Sequence, residues 1–177
     1  MLTAEITACC KELKLSRNLV EMAETVQAGS HQEYLLKLLR SELAHRESQR
    51  KEKFLKNAGF YSLKTMDGFR FDEVTLPAAV SPEYLQNCEF IKTKTNLVMY
   101  GNVGTGKTFL SIALGVEACK KGIETRFFRT AALVNRLSEA KKNGTLSVFM
   151  KKLAKAQLVV CDLCGDISYV EQIAAYA

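Results

Sequence analysis

Gly101, Gly106, Lys107 and Thr108 in the run Gly101-Asn102-Val103-Gly104-Thr105-Gly106-Lys107-Thr108 fall at the spacing G-x-x-x-x-G-K-[ST]. That spacing suits the holding of a phosphate chain. Such a chain carries several negative charges, and glycines leave backbone N–H groups unobstructed to meet them at the positive end of the helix that follows. Lys107 adds a cation that reaches the β- and γ-phosphates, and Thr108 offers a hydroxyl to Mg2+. Chemistry of this kind needs a second acidic group that holds the metal through water, normally an Asp ending an apolar strand. Leu158-Val159-Val160-Cys161 followed by Asp162 supplies it, which makes Thr108 and Asp162 the candidate metal-holding pair. Phosphate-loop proteins that cleave the terminal phosphate usually carry a Glu after that Asp to activate the attacking water, and the position here holds Leu163. Leucine cannot accept a proton. Asp166 is the nearby acid that could substitute, and the catalytic group stays unassigned.

The elements that must position these residues are legible around them. Thr95 to Tyr100 is short, apolar and followed at once by the glycines, and Lys107 to Lys121 has helical periodicity through Leu110, Ala113, Leu114 and Ala118. Strand, glycine loop, helix is the expected order. Thr125 to Phe128 reads as a second strand and Gln157 to Cys161 as a third; between them Thr130 caps a helix to about Lys142 and Thr145 another to about Ala156. Strands separated by helices imply parallel pairing and an α/β core. Upstream, residues 2–57 read as helix, broken at Gly29 and restarted by the Ser30/Glu33 capping box. Leu35, Leu36, Leu38, Leu39 and Leu43 form the apolar stripe of that second helix. Asn57 to Phe71 has no sustained period, and Ser81-Pro82-Glu83 starts a short helix running to about Phe90. The expected division is a helical N-terminal domain over 1–57, a linker over 58–80 and a phosphate-loop core over 81–177.

Composition bounds the rest. A chain of 177 residues, 47% hydrophobic and 25% charged, sits among globular proteins and can hold a core without disulfides. No run reaches the ~20 apolar residues of a membrane span. The six cysteines lack the spacing of a disulfide framework, and the first residues do not read as an export signal, so a cytoplasmic chain with reduced thiols is expected. Cys161-x-x-Cys164 is half of a zinc or redox site, and Cys161 reads better as a small hydrophobe. From Lys120 to Lys155 ten basic residues face two acidic ones, a net +8 in a chain of net +6. That segment is either a set of solvated helix faces or a surface for phosphate backbones.

Two flanking segments resemble a known family. Arg126-Phe127-Phe128-Arg129-Thr130-Ala131-Ala132-Leu133-Val134 is similar to the IstB family of insertion-sequence transposition helpers, relatives of the DnaC helicase loaders within the AAA+ ATPases. Phe54 to Phe60 and Ser62 to Phe69 resemble that family's link between helical N-terminus and ATPase core. The resemblance implies an AAA+ phosphate-loop fold that binds ATP and Mg2+ through residues 101–108 and Asp162. It implies assembly into homo-oligomers, sequence-independent contact with DNA through the basic segment, and service to a partner transposase. A helicase loader with a helicase partner, or a nucleic-acid-binding fragment working without nucleotide, are the competing readings. Family members are longer, and in the AAA+ sheet the strand between the phosphate-loop strand and the Asp162 strand follows Asp162 in sequence. The expectation is therefore a core incomplete at its C-terminal end, with Thr95 to Tyr100 short of a hydrogen-bonding neighbour and ATP hydrolysis impaired.

Overall fold

The computed structural model describes residues 2–72 and 74–163. Asp166, Cys164 and the ending Tyr169 to Ala177 lie outside the described residues. The chain divides into two compact units, Met1–Glu52 and Lys53–Ala177.

The first unit is helical. Helices α1 (Leu2–Glu12), α2 (Arg17–Thr25) and the start of α3 (His31–Asn57) replace the single interruption expected at Gly29 with two. The extra break comes at Lys14, whose left-handed backbone (φ 54) lets the Leu15 amide reach back to the Cys10 carbonyl at 2.8 Å and close α1. The expected cap forms at α3 with its return bond one residue further out than a capping box has it: Ser30 Oγ accepts from the Glu33 amide at 3.2 Å, and Glu33 accepts from the Gly29 amide at 2.8 Å. Glu42, 4% exposed, ties the helices together. Its carboxylate accepts from the Ser16 amide at 3.1 Å, from the Ser16 hydroxyl and from Arg46 Nε at 2.6 Å, while Arg46 also donates to the Lys14 carbonyl at 2.7 Å. Of the leucine stripe, only Leu38 is buried; Leu35, Leu36, Leu39 and Leu43 are exposed. The stripe is wider than the strip of α3 that α1 and α2 engage.

The second unit is built round helix α6 (Lys107–Lys120), which buries eight residues, with Ile112, Ala113 and Ala118 at zero exposure. On one side lie Leu85, Cys88, Phe90 and Met66; on the other Phe127, Val160, Leu55 and Phe60. Burying a side chain such as Ile112 contributes about 1.5–3 kcal/mol. Residues 58–80, whose composition marks a linker, supply Met66, Phe69, Phe71, Leu76 and Val80 to this core, and a 3-10 turn spans Met66–Gly68. The helix expected from Pro82 to Phe90 is split into α4 (Pro82–Gln86) and α5 (Glu89–Lys92) by Cys88, whose φ of 55 breaks the run. Ser81 caps α4 as expected, accepting from the Tyr84 amide at 3.1 Å.

Among the described residues the sheet has two parallel strands, β1 (Thr125–Arg129) and β2 (Leu158–Asp162), in register from Thr125↔Leu158 to Arg129↔Asp162. Helices α7 (Thr130–Lys142) and α8 (Leu146–Leu153) make the crossover between them, the arrangement parallel pairing requires. The strand expected over Thr95 to Tyr100 is corrected. The segment keeps a strand's alternation, Leu97 and Met99 packing inward while Val98 and Tyr100 are exposed. It pairs with neither strand, because no described strand lies beside it to complete a ladder. No described helix is long and apolar enough to cross a membrane.

Candidate phosphate-binding site

The loop between Tyr100 and α6 has the backbone that its glycines allow. Gly101, Gly104 and Gly106 have φ of +145°, +87° and +81°, a region that side-chain-bearing residues enter at a cost. Gly106 is the N-cap of α6, and its carbonyl accepts the first helical bond, from the Leu110 amide at 2.9 Å. The first-turn amides of a helix have no intrahelical acceptor, so Lys107 and Thr108 open α6 where donors and a positive dipole end converge. Gly101 to Thr105 are exposed, Val103 at 89%. The loop is open to a ligand from solvent.

Lys107 Nζ lies across this loop. It donates to the Gly101 carbonyl at 2.8 Å, the Asn102 carbonyl at 2.6 Å and Thr105 Oγ1 at 3.3 Å. Three oxygens of the loop thus satisfy its three donors. Thr105 Oγ1 in turn donates to the Asn102 carbonyl at 2.9 Å.

Thr108 and Asp162, 54 positions apart, meet: Thr108 Oγ1 donates to Asp162 Oδ1 at 2.8 Å. With its proton committed to the carboxylate, the hydroxyl keeps lone pairs for a cation. A hydroxyl and a carboxylate are hard oxygen donors suited to Mg2+, so the residues present fit that ion. The meeting depends on the fold: β2 carries Asp162 to the sheet end beside the N-terminus of α6, and parallel register puts its side chain on the face that Val160 and Phe127 share against α6. Asp162 is 7% exposed, whereas Leu163, one residue on, is 52% exposed and carries no proton acceptor.

Two neighbours of the site escaped the sequence reading. Phe69 packs against the loop: a Cβ on Gly106 would lie 3.2 Å from its Cε2, and its ring stacks on Phe109 at 6.0 Å. Thr130, expected to cap α7, is instead that helix's first residue; Arg129 holds the cap position, and Thr130 Oγ1 donates to the Asp162 carbonyl at 3.2 Å. Neither contact has a signature in spacing, since each joins segments 32 or more residues apart. Among the described residues no three His, Cys, Asp or Glu side chains cluster as a metal site. Cys161 is exposed on β2 and does not pack as the small hydrophobe expected there.

Of the basic segment, Lys120 pairs with Glu117 at 2.6 Å and Arg126 with Glu124 at 2.8 Å. Arg136, Lys141, Lys142, Lys151, Lys152 and Lys155 are exposed on or beside α7 and α8, two helices whose only acid is Glu139.

The family model described as IstB-like ATP binding protein matches residues 9–175. The chain belongs to this family. It is 29% identical, over 83% of its length and 59% of the relative's, to a protein of insertion sequence IS5376 from Geobacillus stearothermophilus named for ATP binding. A counterpart from IS1162 of Pseudomonas fluorescens is 32% identical over 77% of this chain and 59% of its own. One from IS21 of Pseudomonas aeruginosa is 30% identical over 77% and 51%. The chain spans between half and three fifths of the length of these relatives. The IstB-like family and a mixed helix and strand architecture with a parallel sheet agree with the expectation from residues 126–134 and the phosphate-loop spacing.

Proposed function

We propose that this IstB-like chain is an ATP-binding helper of insertion-sequence transposition with an AAA+ type core, binding Mg·ATP at residues 101–108 with Asp162. The observation that carries the reading is the Thr108–Asp162 hydrogen bond at 2.8 Å, joining the two residues that sequence logic assigns to one metal. Lys107 would exchange its loop carbonyls for β- and γ-phosphate oxygens, a charge-assisted exchange that favours the phosphates. Amides of the glycine loop and the α6 terminus would take the remaining oxygens. Thr108 would hold Mg2+ directly and Asp162 through water, and the ion would offset charge on the phosphates. Leu163 supplies no base, so the chain binds ATP and turns it over poorly.

The exposed cations of α7 and α8 favour DNA as the second ligand, met through its phosphates and without sequence preference. The insertion-sequence names of the relatives favour a transposase over a helicase as partner, in homo-oligomers acting in the cytoplasm. The nucleotide reading is tested by thermal melting with and without Mg·ATP. A ligand in hundredfold excess over its dissociation constant adds about 2.7 kcal/mol to the folded state, and at 2–4 °C per kcal/mol for a chain this size the midpoint should rise by roughly 5–10 °C. Lys107→Ala should abolish the rise. A midpoint indifferent to Mg·ATP, or a rise that Lys107→Ala keeps, overturns the reading.

A further inference from the structure

Helix α7 follows β1 without a loop. Arg129 is at once the last residue of the strand and the helix N-cap, with φ −72° and ψ 128°. Its partner in the parallel register is Asp162. The next residue, Thr130, donates through Oγ1 to the Asp162 carbonyl at 3.2 Å in a part-buried setting, and the same Asp162 accepts from Thr108 at the start of α6. The basic helix is thus joined to the metal-holding acid by two adjacent attachments, one through the backbone register and one through a hydroxyl. A helix that carries Arg136, Lys141 and Lys142 on its exposed surface cannot pivot against a phosphate backbone without pulling on that hydroxyl.

We propose that Thr130 is a positioning residue that couples nucleic-acid binding on α7 to Mg·nucleotide binding at Thr108 and Asp162. The inference rests on the nucleotide and DNA sites proposed above and names the side chain through which they act on one another. The contact that both ligands would act on is the Thr130–Asp162 hydrogen bond. Made, it ties the Asp162 main chain to the start of α7, beside the carboxylate that accepts from Thr108 at 2.8 Å; lengthened, it lets that main chain, and the carboxylate it carries, shift relative to Thr108. A DNA backbone that draws α7 into the position where the bond is made raises nucleotide affinity, and nucleotide raises DNA affinity by the same factor, since coupling between two binding sites is reciprocal.

The test measures that factor from both sides with the 177-residue chain, Mg·ATP and a short fluorescent DNA duplex of arbitrary sequence. In the wild type, Mg·ATP should tighten duplex binding by about fivefold or more, the lower end of ordinary coupling, and the duplex should tighten Mg·ATP binding equally. Thr130→Val removes the hydroxyl at constant shape and should bring both ratios below about twofold; Thr130→Ser keeps the hydroxyl and should restore them. A merely structural threonine would lower the melting midpoint in Thr130→Val and leave the ratios alone. Thr130→Val with the wild-type ratios overturns the inference. A wild-type chain that binds both ligands with ratios of one overturns it while the nucleotide reading stands, and a wild-type chain without any Mg·ATP effect on melting removes both.

Discussion

Gly106→Ala tests whether the phosphate loop holds the backbone that the site requires. At φ +81° an alanine meets the left-handed penalty of about 1–2 kcal/mol. Its Cβ would also stand 3.2 Å from Phe69 Cε2, closer than ordinary carbon contact. The Phe69 ring cannot retreat freely: it lies edge-on to Phe71 at 5.0 Å and stacked on Phe109 at 6.0 Å. Adding a methyl against such a cluster costs about 1 kcal/mol more, the low end of overpacking. The sum is about 2–3 kcal/mol, or a fall in melting midpoint of roughly 4–12 °C. Urea unfolding followed by circular dichroism measures it, and a cycle with Phe69→Ala separates the parts. In the Phe69→Ala background the steric share should vanish, a coupling of about 0.5–1 kcal/mol, while the backbone share persists. Gly106→Ala within about 0.5 kcal/mol of wild type would mean that the loop does not hold this turn, and the account of the site's geometry would fall with it.

Gly115→Ala places a Cβ 2.7 Å from Phe60 Cζ, inside α6; the overlap should cost about 1–3 kcal/mol against the ~1 kcal/mol that alanine gains in a helix, and a urea midpoint above wild type would contradict the Phe60 packing. Burial raises the Glu42 carboxyl, but hydrogen bonds from Ser16 and Arg46 outweigh it and hold the group below the ordinary glutamate value. Its contribution to stability is therefore complete above about pH 4.3 and lost as pH falls through the lowered folded value; the gap in urea midpoint between wild type and Glu42→Gln should be constant near neutrality and shrink in acid, and a gap unchanged down to pH 3 would refute the assignment. Leu163→Glu restores a proton acceptor beside Asp162 and should raise Mg·ATP turnover by about 10²-fold or more, read by phosphate release with Lys107→Ala as control; no gain would show that Leu163 is not what limits turnover.

Sequence legibility followed the range of the interactions involved. Local signals carried over. The Ser30/Glu33 cap and the Ser81 cap each form within four residues, and the loop from Gly101 to Thr108 takes the turn its glycines announce. Helix α6 was readable because Leu110, Ala113, Leu114 and Ala118 recur at its 3.6-residue period, although its burial extends beyond that stripe to Ile112, Gly115, Val116 and Cys119. Boundaries failed where a single residue took a left-handed backbone without being glycine, as Lys14 and Cys88 do. Composition does not forecast such positions, which tertiary packing imposes. The stripe of α3 failed for another reason: period shows which face of a helix is apolar, not how wide a strip its neighbours engage.

Thr95 to Tyr100 shows the same limit for strands. Its alternation survives from Leu97 to Tyr100, with Leu97 and Met99 inward, but a strand is a relation between two backbones, and periodicity describes only one of them. The candidate site is a middle case. Spacing assigned Thr108 and Asp162 to a common ion from opposite ends of the core, and the parallel register of β1 with β2 is what carries Asp162 to within 2.8 Å of the Thr108 hydroxyl. The contacts of Phe69 with Gly106 and of Thr130 with Asp162 come from the same packing. They are invisible in spacing because a phenylalanine and a threonine are ordinary core and cap residues until the fold sets them against the loop.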